Sequence, residues 1–312
     1  HRWKTLREGG VRKALTTARW NELTGTLNDI NRSAFKNEKA VQLFNRFATY
    51  NGSSPYKTPG LMRMISGLEH GQGAFYPEGG MHSITRALHQ LAVMVGVRFH
   101  FNSPVERILL NPGLDRVTGI RVDGQELNAP VVVSAIDIVP TYRQLLPDLP
   151  APKRTLAQER SSSALVFYWG LRTVHPELGL HNILFSNDYT AEFEHLFEKG
   201  QVYRDPTVYI NITSTHTPSD APAGCSNWFT MINAPRQVGQ DREAMVQSAR
   251  AAVLAKVQRT LGFDVENFIE VEQVLDPKGI EELTGSYQGS IYGTSSNSPW
   301  AAFLRHPNFH PR

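Results

Sequence analysis

The spacing of hydrophobic residues along the sequence changes at Gly96 from that of a helix to that of a strand. This change limits the folds that the chain can adopt. Apolar residues in 82–95 recur every three or four positions, which predicts a helix with one apolar face. Residues 97–101 alternate apolar and polar side chains, as a half-buried strand does. A helix that passes through a glycine into a strand is typical of a packed α/β unit. We therefore predict an α/β (α+β) fold.

The segment after this helix predicts further short strands joined by turns. The strands are expected at 104–110, 117–122 and 131–134. Asn111-Pro-Gly and Asp123-Gly, both strong turn formers, separate them. A helix at 138–146 would complete the unit, and the proline-rich stretch 146–152 is the best candidate for a domain boundary.

The remaining apolar segments predict helices early in the chain and a sheet in its second half. Helices are expected at 11–30, 37–49, 60–69 and 244–261, the last ending at Gly262. Strands are expected at 164–171, 207–213, 228–233 and 268–274. The tail from Gly285 is rich in Gly, Ser, Asn and Pro, and we expect an ordered loop there.

Composition and charge exclude several classes of protein. The net charge of +3 is too small to indicate a nucleic-acid partner. The single cysteine, Cys225, excludes a disulfide framework and favours a reducing, cytoplasmic location. No apolar run reaches the roughly 18 residues of a membrane span, and no signal-peptide core occurs. The 11 histidines show no ligand spacing, so no metal is expected.

The first twenty residues carry six basic side chains against Glu8, a local charge of 6 − 1 = +5. Trp3 and Trp20 lie in the same stretch. Basic residues beside tryptophans suit a helix lying on an anionic membrane surface. The alternative is a solvated basic helix that packs on its own domain.

No motif for a self-contained active site occurs, so no catalytic residue is assigned. The sequence lacks a Gly-x-Ser-x-Gly turn, a Walker loop, a Gly-x-Gly-x-x-Gly unit and a His-Glu-x-x-His pair. The strand 164–171 instead carries Phe167, Tyr168 and Trp169 in succession. These aromatic side chains could fill an ordinary sheet core, or they could line an apolar tunnel for a long hydrocarbon.

Several segments resemble known flavoproteins. The segment from Pro77-Glu-Gly-Gly-Met, with Gly96-Val-Arg-Phe, Val105-Glu-Arg-Ile and Val132-Val-Ser-Ala, resembles the amine-oxidase-like superfamily. The segments 46–57, 163–171, 181–189 and 220–225 narrow the resemblance to bacterial phytoene and other carotenoid desaturases, as do the tail segments at 289–293 and 301–308. Together the resemblance covers about 35–312.

The resemblance implies that the cofactor is FAD and that the chain divides into four parts. These are a helical substrate- and membrane-facing part at 1–75, a partial Rossmann-like FAD-binding domain at 76–150, a mixed-sheet substrate domain at 151–275 and a return segment at 276–312. Family members also have an N-terminal Gly-x-Gly-x-x-Gly unit and a C-terminal Gly-rich segment, which this sequence lacks. We therefore expect an incomplete chain that by itself holds FAD weakly and is inactive.

The resemblance also implies site residues. The main chain of Val105 would contact the adenine, and Ser134, Ala135 and Asp137 would approach the phosphates. Asp137 could equally cap the helix at 138–146. The candidates for a wall against a long apolar polyene are Tyr56, Tyr76, Phe167, Trp169 and Trp228. Core packing is the alternative role for each of these five.

The activity implied is dehydrogenation of a carotenoid, either phytoene or a hydroxylated one, at a peripheral membrane location. A hydride would pass to flavin N5 and a proton would leave the adjacent carbon. Two alternatives stay open: a related retinol saturase or carotenoid isomerase, and a non-catalytic lipid-binding module. The oligomeric state is not readable from the sequence.

The basic, tryptophan-bearing start generates a first prediction. The intact protein should sediment with anionic liposomes at low salt, because its cationic residues are attracted to the anionic surface. Equal partition with and without liposomes would contradict the membrane interpretation.

Overall fold

The computed structural model describes residues 22 and 24–298 of the chain. Its α-helices, numbered here in chain order, are α1 (Leu27–Ala34), α2 (Glu38–Asn45), α3 (Met64–Gln72), α4 (His82–Met94), α5 (Ile138–Pro140), α6 (Lys153–Leu156), α7 (Tyr189–Glu194), α8 (Arg242–Leu261) and α9 (Pro277–Thr284). Its strands are β1 (Val105–Leu110), β2 (Val117–Val122), β3 (Gln125–Asn128), β4 (Ser163–Leu171), β5 (His181–Leu184), β6 (Val208–Asn211), β7 (Ser226–Ala234) and β8 (Ile269–Leu275). The basic stretch 1–20, most of the predicted helix 11–30 and the tail 299–312 lie outside the described residues.

The first helices form a small unit that is joined by polar side chains. Thr26 and Asp29 make a reciprocal capping box at the start of α1. The buried amide of Asn31 donates to the side-chain oxygen of Asn45 over 2.9 Å and links α1 to α2. After α2 the chain continues as a 3₁₀ turn, Arg46–Asn51. This turn ends at Gly52 with a φ of 56°, where a side chain would meet Ser161.

The first sheet is a three-stranded antiparallel meander in the order β1-β2-β3. Asp123 and Gly124 connect β2 to β3, with φ angles of 49° and 72°. Positive φ at both positions is the requirement of a type I′ hairpin turn, which Asp-Gly favours. The sequence predicted this turn but not the strand β3 that follows it.

Two strands predicted from the sequence, 97–101 and 131–134, do not form. Both segments have the apolar composition of strands, and α4 ends immediately before the first of them, as predicted. A strand also needs a neighbour to accept and donate ladder hydrogen bonds. Within the part of the chain that the structure describes, neither segment has such a neighbour.

The second sheet has five antiparallel strands in the order β5-β6-β7-β4-β8. Strand β4 pairs with β7 along its whole length, from Ser163 opposite Ala234 to Leu171 opposite Ser226. Its other edge pairs with β8. Because β4 has a partner on both edges, it fixes the register of the sheet.

The main core lies between this sheet and α8. The side chain of Asp241 caps the start of α8, and Gly262 ends it with a φ of 74°. Val253 and Val257 of α8 are fully buried against the sheet. The sequence placed this helix and its glycine stop correctly, because a long amphipathic pattern is the clearest secondary-structure signal.

The segment after α9 packs along the beginning of β4. The Ser161 amide donates to the Gly293 carbonyl over 2.8 Å, and the Ser163 hydroxyl donates to the Gly289 carbonyl over 2.6 Å. The guanidinium of Arg160 lies over the Tyr287 ring and pairs with the carboxylate of Asp137, both within the interior. The serine bonds hold the segment after α9 on β4, and the Arg160–Asp137 ion pair connects the start of β4 to the residue that caps α5.

The alternation along β4 generates a stability prediction. Trp169→Ala should lower the free energy of unfolding by about 3–5 kcal/mol, because it leaves a cavity between the sheet and α8. The adjacent Tyr168→Ala is the control, and it should cost only about 1 kcal/mol because its side chain lies on the other face, 39% exposed. Urea unfolding curves measure both. Equal losses would contradict the assignment of the two faces.

Candidate functional site

The two faces of the five-stranded sheet differ in how they are covered. Side chains of one face pack against α8 and form the closed core. We call the opposite one the open face, defined by Val166, Tyr168, Tyr209, Phe229 and Met231. Ile280 of α9 covers one part of it, where Val166 is buried and Phe229 and Met231 pack alongside. The central aromatic side chains of the open face are partly exposed, although aromatic residues in a β-sheet are usually buried. A partly exposed aromatic surface next to a rigid core is a candidate binding surface for an apolar ligand.

Three of the predicted wall residues lie in the closed core. Phe167, Trp169 and Trp228 are 0%, 2% and 1% exposed, and all belong to the cluster under α8. The indole nitrogen of Trp169 donates to the Glu272 carboxylate over 2.6 Å. Core packing, the alternative role that the sequence left open, is therefore the environment of these side chains. Their contact with a substrate stays a prediction.

The register of the strands arranges the open face in rows that cross the sheet. One row runs from Tyr168 of β4 through Phe229 of β7 and Asn211 of β6 to His181 of β5. The next row contains Val166, Met231, Tyr209 and Ile183. The first row becomes polar over β6 and β5, whereas the second stays apolar except for the hydroxyl of Tyr209.

Aromatic contacts connect the centre of the open face. The ring centroids of Tyr168 and Phe229 are 5.4 Å apart with an edge-on geometry, and those of Phe229 and Tyr209 are 6.4 Å apart. Such edge-to-face pairs hold each ring in one orientation. The surface is therefore shaped by neighbouring rings and not by flexible aliphatic chains.

A polar group, which we call the edge cluster, lies where the open face meets strands β5 and β6. It consists of His181, Tyr209 and Asn211. The Tyr209 hydroxyl lies 2.7 Å from Nδ1 of His181, and the Asn211 amide nitrogen lies 3.2 Å from the same atom. The His181 and Tyr209 rings also stack at 6.0 Å.

Helix α7 covers the other end of the open face with a buried carboxyl group. Glu192 is 1% exposed, and its Oε2 accepts a hydrogen bond from the Thr207 hydroxyl over 2.6 Å. Its other oxygen, the Tyr189 hydroxyl and the Asn233 amide nitrogen are buried as well. Burial raises the pKa of Glu192 above its ordinary value, and the Thr207 hydrogen bond partly opposes this.

The positive charge of Arg46 acts on groups of both the buried end and the edge cluster. Burial raises the pKa of the Tyr209 hydroxyl, and the positive charge of Arg46 opposes this rise. The same charge acts on the pKa values of Tyr50, Tyr189 and Tyr292. Among residues 24–298, no carboxylate lies within ion-pair distance of the Arg46 guanidinium.

The predicted cofactor residues lie around the meander and α5. Val105 begins β1 and is 38% exposed, while Ser134 and Ala135 lie on the exposed segment before α5. The Ser134 hydroxyl is 2.8 Å from that of Thr141. The Asp137 carboxylate accepts a hydrogen bond from the Val139 amide and so caps α5, which confirms the capping role proposed from the sequence. Cofactor contact stays a prediction for all four predicted residues.

Tyr56 and Tyr76 are not among the strand side chains that form the open face. The half-buried Tyr56 ring meets that of Phe193 edge-on, with centroids 6.2 Å apart. Tyr76 is 39% exposed on the segment that leads into α4. Their role as substrate contacts stays a prediction.

Residues that sequence reasoning missed are the open-face side chains and the edge cluster. The signal for the former was present, because strand alternation puts Tyr168 on the opposite face from Phe167 and Trp169. The edge cluster had no comparable signal, since β5 is short and its pairing with β6 joins residues 28 positions apart in the chain.

Neither a metal centre nor a membrane-spanning helix is found in the described part of the chain. No group of three or more His, Cys, Asp or Glu side chains there could hold a metal ion. No described helix has both the length and the apolar character that crossing a bilayer requires.

Comparison with known proteins places this geometry in context. Residues 20–173 match the family model for flavin-containing amine oxidoreductases. Over 309 residues the chain is 52% identical to a 1-hydroxycarotenoid 3,4-desaturase from Flavobacterium sp. (strain P99-3), covering 99% of this chain and 63% of that protein. It is 31% identical over 272 residues to a phytoene desaturase from Phycomyces blakesleeanus, covering 84% of this chain and 46% of that protein. The chain thus spans about half to two thirds of the length of these relatives.

A solved structure has a fold similar to that of this chain. An oxidoreductase from Methanosarcina mazei superimposes with a TM-score of 0.57 at 17% sequence identity, over 80% of this chain and 55% of that one. At this identity the similarity establishes the fold alone. The prediction of an α/β (α+β) fold with structural relatives among oxidoreductases is confirmed. The large sheet, expected to be mixed, is antiparallel throughout.

The buried carboxyl group generates a prediction of pH dependence. A carboxyl whose pKa is raised on folding stabilises the folded chain fully below its unfolded pKa, and this contribution is lost as pH rises through the folded pKa. The free energy of unfolding should therefore fall as pH rises above 4.5, the ordinary value for Glu192. Each pH unit up to the folded pKa costs about 1.4 kcal/mol.

The variant Glu192→Gln should remove this slope, because the amide stays neutral at every pH. Glu198→Gln, an exposed glutamate on the next turn, is the matched control and should keep the slope. Urea unfolding of the three proteins at several pH values above 4.5 measures the effect. A slope that Glu192→Gln leaves unchanged would show that Glu192 does not cause it.

Proposed function

Because this chain belongs to the carotenoid desaturase family of flavin-containing amine oxidoreductases, we propose that it dehydrogenates a hydroxylated acyclic carotenoid. The 52% identity to a 1-hydroxycarotenoid 3,4-desaturase over nearly the whole chain supports this substrate class. In this reaction a C–C single bond becomes a double bond, and one hydride and one proton leave adjacent carbons. The conjugated system of the polyene is thereby extended.

The observation that carries the proposal is the open face of the five-stranded sheet. A polyene presents almost no polar group, so the protein can hold it only by shape and by removing it from water. The rings of Tyr168 and Phe229, fixed edge-on at 5.4 Å, offer such a surface. The closed core under α8 keeps that surface rigid, which favours a fixed position of the reacting carbons.

We propose FAD as the cofactor and the division of the chain at 75/76, 150/151 and 275/276. When bound, FAD would supply the hydride acceptor. The segment with Ser134 and Ala135 and the start of β1 at Val105 are both exposed, which fits contact with a dinucleotide. Support also comes from α4, whose apolar side chains Leu88 and Leu91 are 61% and 55% exposed. Such a helix suits a domain that continues beyond the described residues.

We further propose that the protein meets its substrate at a membrane surface. A long polyene dissolves in the bilayer and not in water, so its enzyme gains from lying on that surface. The basic stretch 1–20 is the candidate contact.

The proposed reaction differs from its alternatives in a directly visible quantity. Desaturation lengthens the conjugated system and shifts the polyene absorption to longer wavelength. A saturase would shorten that system, an isomerase would keep the number of double bonds, and a lipid-binding module would bind without turnover. Incubating the full-length protein and FAD with a hydroxylated acyclic carotenoid in lipid vesicles separates all four.

The open face generates an activity prediction. Phe229→Ala should lower kcat/KM for the polyene by about tenfold, because it removes apolar contact worth roughly 1.4 kcal/mol. The control is Leu283→Ala, a 76% exposed side chain on α9, which should leave kcat/KM unchanged. The rate of red-shifted product formation measures both. Full activity of a folded Phe229→Ala protein would contradict the role of the open face.

A further inference from the structure

A buried ion pair joins the segment proposed to contact the cofactor to the strand that carries the open face. The Asp137 carboxylate pairs with the Arg160 guanidinium, and these side chains are only 7% and 3% exposed. Asp137 lies just after Ala135 in the part 76–150, whereas Arg160 lies shortly before β4. The pair therefore crosses the boundary that we propose at 150/151.

The two oxygens of the Asp137 carboxylate have different partners. Oδ1 accepts a hydrogen bond from the Val139 amide over 2.9 Å and caps α5, while Oδ2 binds Arg160. The Thr141 hydroxyl donates to the Asp137 carbonyl over 2.9 Å and lies 2.8 Å from the Ser134 hydroxyl. Ser134, which we expect near the cofactor, is thus tied through Thr141 to the residue that pairs with Arg160.

The segment after α9 fixes the other end of the pair. Nε of Arg160 donates to the Ser290 hydroxyl over 3.2 Å, and the Arg160 guanidinium carbon lies 5.9 Å from the centre of the Tyr287 ring. Arg143, from the part 76–150, lies over the same ring at 5.0 Å and donates to its hydroxyl over 3.1 Å. Tyr287 is therefore a second point at which the two parts meet.

A junction of this kind limits the motion of the two parts relative to each other. Parts of one chain move relative to each other unless the contacts between them are strong. Separating a buried ion pair leaves each charge without a partner and without water, which is strongly unfavourable. Hydride transfer requires reacting atoms roughly 3–3.5 Å apart, so its rate depends on how precisely the two parts are held.

We propose that Asp137 and Arg160 are positioning residues that fix the cofactor-binding segment relative to the open face. They would thereby hold a bound flavin at reacting distance from the polyene. The inference rests on the proposed function, since only a reaction between groups that the two parts hold depends on their relative position. Neither residue belongs to the open face, so neither is expected to contact the polyene.

The test uses the double variant Asp137→Ser/Arg160→Met in the full-length protein. Removing one partner would leave the other charge buried and unpaired, whereas replacing both removes the two charges together. Serine keeps an oxygen that can cap α5, and methionine keeps the apolar volume of the arginine stem. The matched control is Arg107→Met/Asp148→Ser, which removes an exposed Arg–Asp pair lying wholly within the part 76–150.

Pulsed EPR measures the relative position of the two parts without any turnover. Spin labels are attached at Leu127→Cys of β3 and Val271→Cys of β8, both exposed, in a Cys225→Ser background. The distribution of label distances in the double variant should become about twice as wide, because the parts are free to move once the junction is broken. The control variant should keep the width of the wild type.

Steady-state kinetics on the hydroxylated polyene at saturating FAD measure the consequence for the reaction. In the double variant kcat should fall about ten- to a hundredfold, because small displacements of the reacting groups are costly. KM for the polyene should change by less than about twofold, since the open face is unaltered. A pair that only stabilised the fold would leave the kcat of the folded variant unchanged. Thermal unfolding sets a temperature at which every variant is folded.

An unchanged width of the distance distribution overturns the inference, and so does an unchanged kcat in a variant whose distribution has broadened. If the wild type does not convert the polyene, the proposed function fails and the distance distributions alone decide whether the pair fixes the two parts. Broadening in the double variant then supports this role, and an unchanged width overturns it.

Arg160→Lys takes the place of the double variant if the latter does not fold. Lysine keeps the charge but loses the planar group that reaches both Asp137 and Ser290. It should therefore broaden the distance distribution and lower kcat in the same direction, by smaller factors. Wild-type values of both quantities in Arg160→Lys would overturn the inference.

Discussion

The pairing of β4 on both edges is the constraint on which the candidate site depends. With β7 on one side and β8 on the other, β4 cannot slip without turning its core side chains outward. Phe167 and Trp169 then lie against α8, and Tyr168 lies on the other face. Burying Phe167 and Trp169 against α8 stabilises the sheet, and it also places the Tyr168 ring on the face that is available for binding. Strand β4 therefore determines both the stability of the sheet and the geometry of the candidate site.

Polar groups frame the open face on two sides, and they differ in how completely they are satisfied. At the α7 end the Glu192 carboxyl is sealed from water and keeps one bond to Thr207. At the β5–β6 edge Tyr209 is partly exposed, and its hydroxyl hydrogen-bonds to His181. The apolar rings lie between these two regions. Polar groups at both ends can fix how far a mainly apolar ligand extends along the sheet. A uniformly apolar surface could not do this.

The sequence predicted where the helices and strands lie better than it predicted which face of each strand is buried. Periodicity located α4, α8, β4 and β7, because long amphipathic or alternating runs carry a strong local signal. It also predicted strands at 97–101 and 131–134, where the composition is right but no described neighbour pairs with them. The aromatic run of β4 was recognised, yet Phe167 and Trp169 were chosen over Tyr168. Which face receives α8 depends on contacts between residues far apart in the chain, and local patterns do not contain them. Arg46 and His181 were missed for the same reason.

The two segments at 97–101 and 131–134 leave polar backbone and apolar side chains uncovered side by side, with Val131 and Val133 74% and 86% exposed. Unpaired backbone beside exposed apolar side chains is a place where an extended peptide can pair as a strand. At high protein concentration the peptide within reach is the same segment of another molecule. Colloidal stability of this protein therefore depends on what covers these two segments.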